Sequence, residues 1–177
     1  MQIDILSVTI RAGVVNVLIA PQDIGVKAVK DYIDNYPYDL LYVCGNYSVI
    51  LTNLKGKFDV RRAFTVYQLF SILEECYQDA VFIEHDRLLY EDVEDAVIEN
   101  LFSALKDVAR RGKLVIYYSN STDRVFEYFA RNADRFIHFE EDCGGYFIVD
   151  SSYYPEVNYR RLYHRFLPKS QTTLEVF

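Results

Sequence analysis

Residues 14–20 read VVNVLIA, a nearly unbroken apolar run, and a helical pattern over 25–36 follows it, closed by Pro37. A run that short, without polar alternation, suits a strand covered on both faces. The pairing recurs along the chain. Strands are expected at 80–83, 114–118 and 136–139, and helices at 64–77, 91–111 and 122–132. Such alternation specifies βαβ units, hence a mainly parallel sheet flanked by helices.

Two places break the alternation. Residues 40–43 and 47–53 read as short strands parted by Gly45-Asn46, a hairpin turn signal. Strand 136–139 is followed by Gly144-Gly145 and a strand over 146–149, predicting an antiparallel hairpin at the sheet edge. In the helix expected over 91–111, Val93, Ala96, Val97, Leu101, Ala104, Leu105 and Val108 share one face, and Glu91, Asp92, Glu94 and Asp95 occupy the first turn. Past residue 150 the pattern fades. The chain therefore divides into an α/β domain, 1–153, and a tail, 154–177.

Composition narrows the function. With 177 residues and 51% hydrophobic content the chain builds one well-filled core, and no apolar run is long enough to span a membrane. Cys44, Cys76 and Cys143 are scattered, which fits a reducing cytoplasm rather than a disulfide framework or zinc site. The net charge of −7 argues against general affinity for nucleic acid. Ten acidic residues and one arginine fall between Glu74 and Glu99, whereas Arg160, Arg161, Arg165 and Lys169 make the tail basic.

In an α/β protein of this kind the first βα junction is the place for a phosphate. Here it reads Ala20-Pro21-Gln22-Asp23-Ile24-Gly25-Val26-Lys27. A phosphate loop needs G-x-x-x-x-G-K-[ST], with glycines so that backbone N–H groups can wrap the ligand. Ala20, Val26 and Lys27 stand where the first glycine, the lysine and the hydroxyl residue belong, and only Gly25 is in register. Strand 80–83 ends in Glu84-His85-Asp86 and strand 114–118 ends near Asn120. The order of elements, with Asn132-Ala133-Asp134-Arg135-Phe136-Ile137 before the closing hairpin, resembles the RecA-like ATPase core, in particular the short archaeal RadB and KaiC-like paralogues. That resemblance implies a RecA-like fold over roughly residues 10–150. It implies Glu84 at the position of the metal-side acid and Asn120 at that of the polar sensor.

The last seven residues, Gln171-Thr172-Thr173-Leu174-Glu175-Val176-Phe177, follow Lys169-Ser170. In a single 3₁₀ turn Gln171, Leu174 and Phe177 project to one side. Leu174 and Phe177 would fill an apolar pocket at about 1.5–3 kcal/mol each, and Gln171 would fix orientation. The pattern resembles the peptide by which replication and repair proteins attach to the sliding clamp, PCNA. The chain stops after one aromatic where that family usually has two, which implies weaker binding.

The reading that joins these features is a non-catalytic RecA-like accessory protein. It would use no cofactor and no metal, and would be held at the clamp by Gln171, Leu174 and Phe177 in replication, recombination or repair. A replication or recombination protein, or DNA through the basic tail, would be a further partner. Alternatives are an atypical ATPase or a metal-dependent hydrolase using Glu84 and Asp86, or a recombinase-paralogue subunit. Acids at a strand end also serve simply to cap the next turn.

Overall fold

The computed structural model describes residues 2–5, 8–142, 145–151 and 161–162. Its elements are β1 Gln2–Ile5, β2 Val8–Arg11, β3 Val15–Ile19, α1 Gln22–Asn35, β4 Leu40–Cys44, β5 Asp59–Arg62, α2 Val66–Glu75, β6 Ala80–Glu84, α3 Asp95–Arg110, β7 Leu114–Ser119, α4 Arg124–Asn132, β8 Arg135–Asp142, β9 Gly145–Ser151 and β10 Arg161–Leu162. The main sheet runs β10-β9-β8-β3-β7-β6-β4-β5. Its six strands from β8 to β5 are parallel, and β9 and β10 are antiparallel to their neighbours.

Which face each helix covers follows from the direction of travel along the sheet. A right-handed crossover places its connection on one face when the chain moves one way and on the other when it moves back. The steps β3→β4 and β4→β5 go towards the β5 edge, and α1 with the segment 50–58 covers one face. There Ile24, Ala28, Val29 and Tyr32 meet Leu18, Tyr42, Phe82, Ile116 and Tyr118, with Ile50 and Leu54. The steps β5→β6, β6→β7 and β7→β8 go back, and α2, α3 and α4 cover the other face. Leu69, Leu73, Leu101, Leu105 and Phe129 pack there on Val17, Val43, Ile83, Val115 and Tyr117. Adjacent strand residues thus feed two separate cores, which is why these strands lack polar alternation.

Several expectations need correction. Gly45-Asn46 is no hairpin turn. The chain passes through a 3₁₀ turn at Leu51–Asn53 and returns as β5, parallel to β4. Gly45 is small for another reason: a Cβ there would lie 2.0 Å from the Asp86 carboxylate. Helix α3 starts at Asp95, because Asp92 has φ +59° and a 3₁₀ turn at Arg87–Tyr90 intervenes. Only Asp95 of the four acids lies in its first turn. Its buried face is Ile98, Leu101, Phe102, Leu105, Val108 and Ala109, and Ala96 is exposed.

The β1–β2 hairpin was not anticipated. Val8 and Ile10 of β2 are buried in the α1-side core, and Tyr36 Oη accepts a 2.7 Å hydrogen bond from Asp4 N–H. The β8–β9 hairpin is present, β8 pairing antiparallel with β9 from Phe136↔Ser151 to Asp142↔Gly145, and residues 143–144 lie outside the described residues. Beyond it β10, within the segment 154–177, pairs with β9 through Arg161 and Leu162.

Candidate functional site

The carboxyl ends of the parallel strands form one rim, and its natural crevice lies between β3 and β7. The connection leaving β3 goes to one face and that leaving β7 to the other, which opens a gap at such a reversal point. Here Ala20 N–H bonds Ser119 C=O at 3.1 Å.

The β3–α1 junction is short. Only Ala20 and Pro21 separate Ile19 from Gln22, and Gly25 N–H already bonds Pro21 C=O at 3.0 Å. The residues aligned with a phosphate-wrapping loop are the first turn of α1. Beneath them lies Tyr118, fully buried, whose hydroxyl donates to Ala20 C=O at 3.2 Å. A Cβ on Gly25 would sit 2.6 Å from this ring. Gly25 is therefore needed for helix–ring contact. Burial, then the charges of Glu84 and Asp23, push the Tyr118 phenol well above its usual pKa, so it remains a neutral donor. Val26 lies in α1, and Lys27 points out and pairs with Asp31 at 3.2 Å, four residues on. Asn120 is exposed just past β7.

Glu84 ends β6 and is 4% exposed. Its carboxylate accepts from Tyr42 Oη, from Ser48 Oγ and, at 2.6 Å, from Val49 N–H. These bonds clasp the segment after β4 to the rim, and Gln22 Nε2 adds a bond to Val49 C=O from α1. Burial and the neighbouring Glu84 drive the Tyr42 phenol pKa far up. Asp86 accepts from Leu88 N–H at 3.0 Å, capping the 3₁₀ turn, and from Asn46 N–H at 3.2 Å. Both acids thus grip the segment after β4, Glu84 at Ser48 and Val49 and Asp86 at Asn46, and Asp86 also caps the 3₁₀ turn. Among the described residues no group of three His, Cys, Asp or Glu side chains could hold a metal ion.

Between them, His85 turns to the other face. Its Nε2 lies 2.8 Å from Asp123 Oδ2 and its Nδ1 2.6 Å from Tyr117 Oη, which lies 2.9 Å from Tyr90 Oη. The imidazole stacks on Tyr90 with 5.3 Å between centroids. Asp123 is also the N-cap of α4, accepting from Phe126 N–H at 2.8 Å. Burial tends to raise the Asp123 pKa, but the His85 hydrogen bond and the backbone N–H groups of Phe126 and Val125 outweigh it and the net shift is downward. Asp123 was not singled out in the sequence. Nothing local pairs it with His85, which is 38 residues away.

Gln171, Leu174 and Phe177 lie outside the described residues. No described helix is long and apolar enough to cross a membrane.

Two predictions follow from this rim. Glu84→Ala removes the carboxylate shared by Tyr42 Oη, Ser48 Oγ and Val49 N–H and loosens the 46–50 segment, lowering stability by about 3 kcal/mol in urea denaturation. Asp123, with its pKa below the ordinary 3.8 when folded, stabilises the protein fully above that value. This contribution is lost as pH falls through the lower folded pKa, because the unfolded carboxyl takes up its proton first. Asp123→Asn keeps the cap, so stability measured from about pH 6 to pH 2 falls less steeply with acid than in the wild type.

No family model matches the chain. The flagellar accessory protein FlaH of Methanocaldococcus jannaschii superimposes with a TM-score of 0.56 over 80% of this chain and 78% of its own. At 10% identity that likeness concerns the fold, which is RecA-like. An uncharacterized protein of Archaeoglobus fulgidus is 40% identical over 177 residues, spanning 99% of this chain and 88% of that one. A RecA-like α/β domain whose sequence match runs almost end to end places the chain in one family with this archaeal protein.

Proposed function

We propose that the protein is a non-catalytic RecA-like accessory factor that works by binding and is attached to the DNA sliding clamp through Gln171, Leu174 and Phe177. The observation that carries the non-catalytic part is the two-residue β3–α1 junction with Tyr118 beneath it. A triphosphate needs several backbone N–H groups curved around it and a cation beside it. Here those residues are helical, and Lys27 is turned to Asp31. Glu84, the counterpart of a metal-side acid, spends its lone pairs on Tyr42, Ser48 and Val49. Ala20, Gly25, Val26 and Lys27 are then remnants of a nucleotide loop, and Glu84, Asp86 and Asn120 of its acidic and sensing side.

What supports the clamp reading is the sequence QTTLEVF behind a basic stretch. Two apolar plugs and one bifunctional amide at three-residue spacing match a site with one apolar and one polar pocket. The basic residues Arg160, Arg161, Arg165 and Lys169 would add salt-dependent attraction to an acidic clamp surface or to DNA phosphates. Attachment would concentrate the RecA-like domain near its next partner, a replication or recombination protein.

The test is a pull-down of purified archaeal sliding clamp by the full chain at about 0.15 M salt. Wild type is expected to retain the clamp, and both Phe177→Ala and deletion of residues 171–177 to lose it without altering thermal unfolding. Equal retention by all three removes the clamp from the account.

A further inference from the structure

Among the described residues β5 ends the sheet, and nothing pairs with its outer side. All four of its residues are exposed, and Val60 is 42% accessible. An open edge strand is a template for another strand unless something prevents it.

The direction of its free backbone groups can be read off. Ala63 N–H bonds Cys44 C=O at 2.9 Å, so Ala63, Arg61 and Asp59 turn their backbone groups to β4. Because successive residues alternate, Val60 and Arg62 turn theirs outward. Side chains alternate too. Asp59 lies on the α2 face, where its Oδ2 accepts from Tyr77 Oη and Gln78 Nε2, and Arg61 lies there with Glu75 at 2.7 Å. Val60 and Arg62 belong to the opposite face, where Arg62 reaches Asn46 C=O at 2.9 Å.

These facts restrict self-pairing sharply. Two copies joined as one continuous antiparallel sheet share a two-fold axis normal to it, so opposed residues must lie on the same face. A residue with outward backbone groups, Val60 or Arg62, would sit on the axis as a hydrogen-bonded pair, and one with inward groups, Asp59 or Arg61, as a non-hydrogen-bonded pair. Centring on Asp59, Arg61 or Arg62 sets two like charges face to face. Centring on Val60 sets Asp59 against Arg61 of the second copy, twice, with Val60 against Val60 between them. It also makes Asp59 and Arg61 the non-hydrogen-bonded pair, whose side chains approach most closely. Asp59 Oδ1 and the guanidinium N–H groups not used by Glu75 are the atoms that would meet.

We propose that β5 is the contact strand of a symmetric dimer, paired antiparallel about Val60 and held in register by reciprocal Asp59–Arg61 ion pairs. The same charges oppose other strands and other registers, so the edge is selective. Phe64 and Tyr67, 57% and 68% exposed just beyond β5, supply apolar surface beside the joined strands.

Sedimentation velocity on the full chain at about 50 µM tests this, a concentration at which a micromolar dimer is well populated. The wild type is expected at twice its 20.8 kDa mass. Val60→Pro removes an N–H that β4 does not use, and Arg61→Asp sets like charges opposite each other. Each is expected to weaken dimerisation at least about tenfold while circular dichroism stays unchanged. Under oxidation Val60→Cys should cross-link, since paired Cα atoms there lie about 5.5 Å apart, whereas Arg62→Cys should not. A monomeric wild type, undiminished dimers in a folded Val60→Pro or Arg61→Asp variant, or cross-linking at 62 but not 60 would overturn the proposal.

Discussion

The contact between the Tyr118 ring and the bare backbone of Gly25 organises the whole end of the molecule where function resides in such folds. It lets α1 start two residues after β3 and press directly on the sheet. It also ties strand to helix through the Tyr118 hydroxyl and Ala20 C=O. The ring packs beneath the first turn of α1, and only Ala20 and Pro21 lie between strand and helix. Both features come from residue choice at two positions 93 apart in sequence, and the RecA-like topology survives unchanged around them.

Around that contact the rim is tied down by buried acids. Glu84 gathers three donors from β4 and the segment after it, and Asp86 holds the next turn against Gly45. A carboxylate supplied with several hydrogen bonds tolerates burial that would otherwise be costly. On the opposite face His85 joins Asp123 to Tyr117 and Tyr90, so the start of α4 is fastened to β6 and β7. Of three consecutive residues, Glu84 and Asp86 thus fasten the segment after β4 and the 3₁₀ turn at Arg87–Tyr90, while His85 fastens the start of α4. A cluster that reads like chemistry in one dimension is divided by strand alternation in three.

How much was legible in the sequence follows from the range of each interaction. Buried strands β3, β6 and β7 and the helices between them announced themselves, because their apolar content is dictated locally by burial on both faces. The β4–β5 connection did not. Gly45-Asn46 carries a turn signal, yet the glycine serves the Asp86 contact and the chain crosses to a parallel strand of four exposed residues, Asp59–Arg62. Exposed edge strands lack the apolar pattern on which strand recognition relies. The start of α3 was misplaced because the positive φ of Asp92 has no helical signature in an acidic stretch. At the rim, Glu84 and Asp86 were visible as acids at a strand end, but Tyr42, Ser48 and Asp123 reach them or His85 only through the tertiary fold.

The fold is RecA-like, and the rim is packed with its own side chains; in this account the protein acts by holding partners rather than by turning over nucleotide. Isothermal titration calorimetry of the full chain with ATP and Mg²⁺, carried to about 1 mM ligand, tests that most directly. The closed β3–α1 junction predicts no saturable heat. A binding isotherm with a micromolar Kd, abolished by substitution at Lys27 or Glu84, would contradict it.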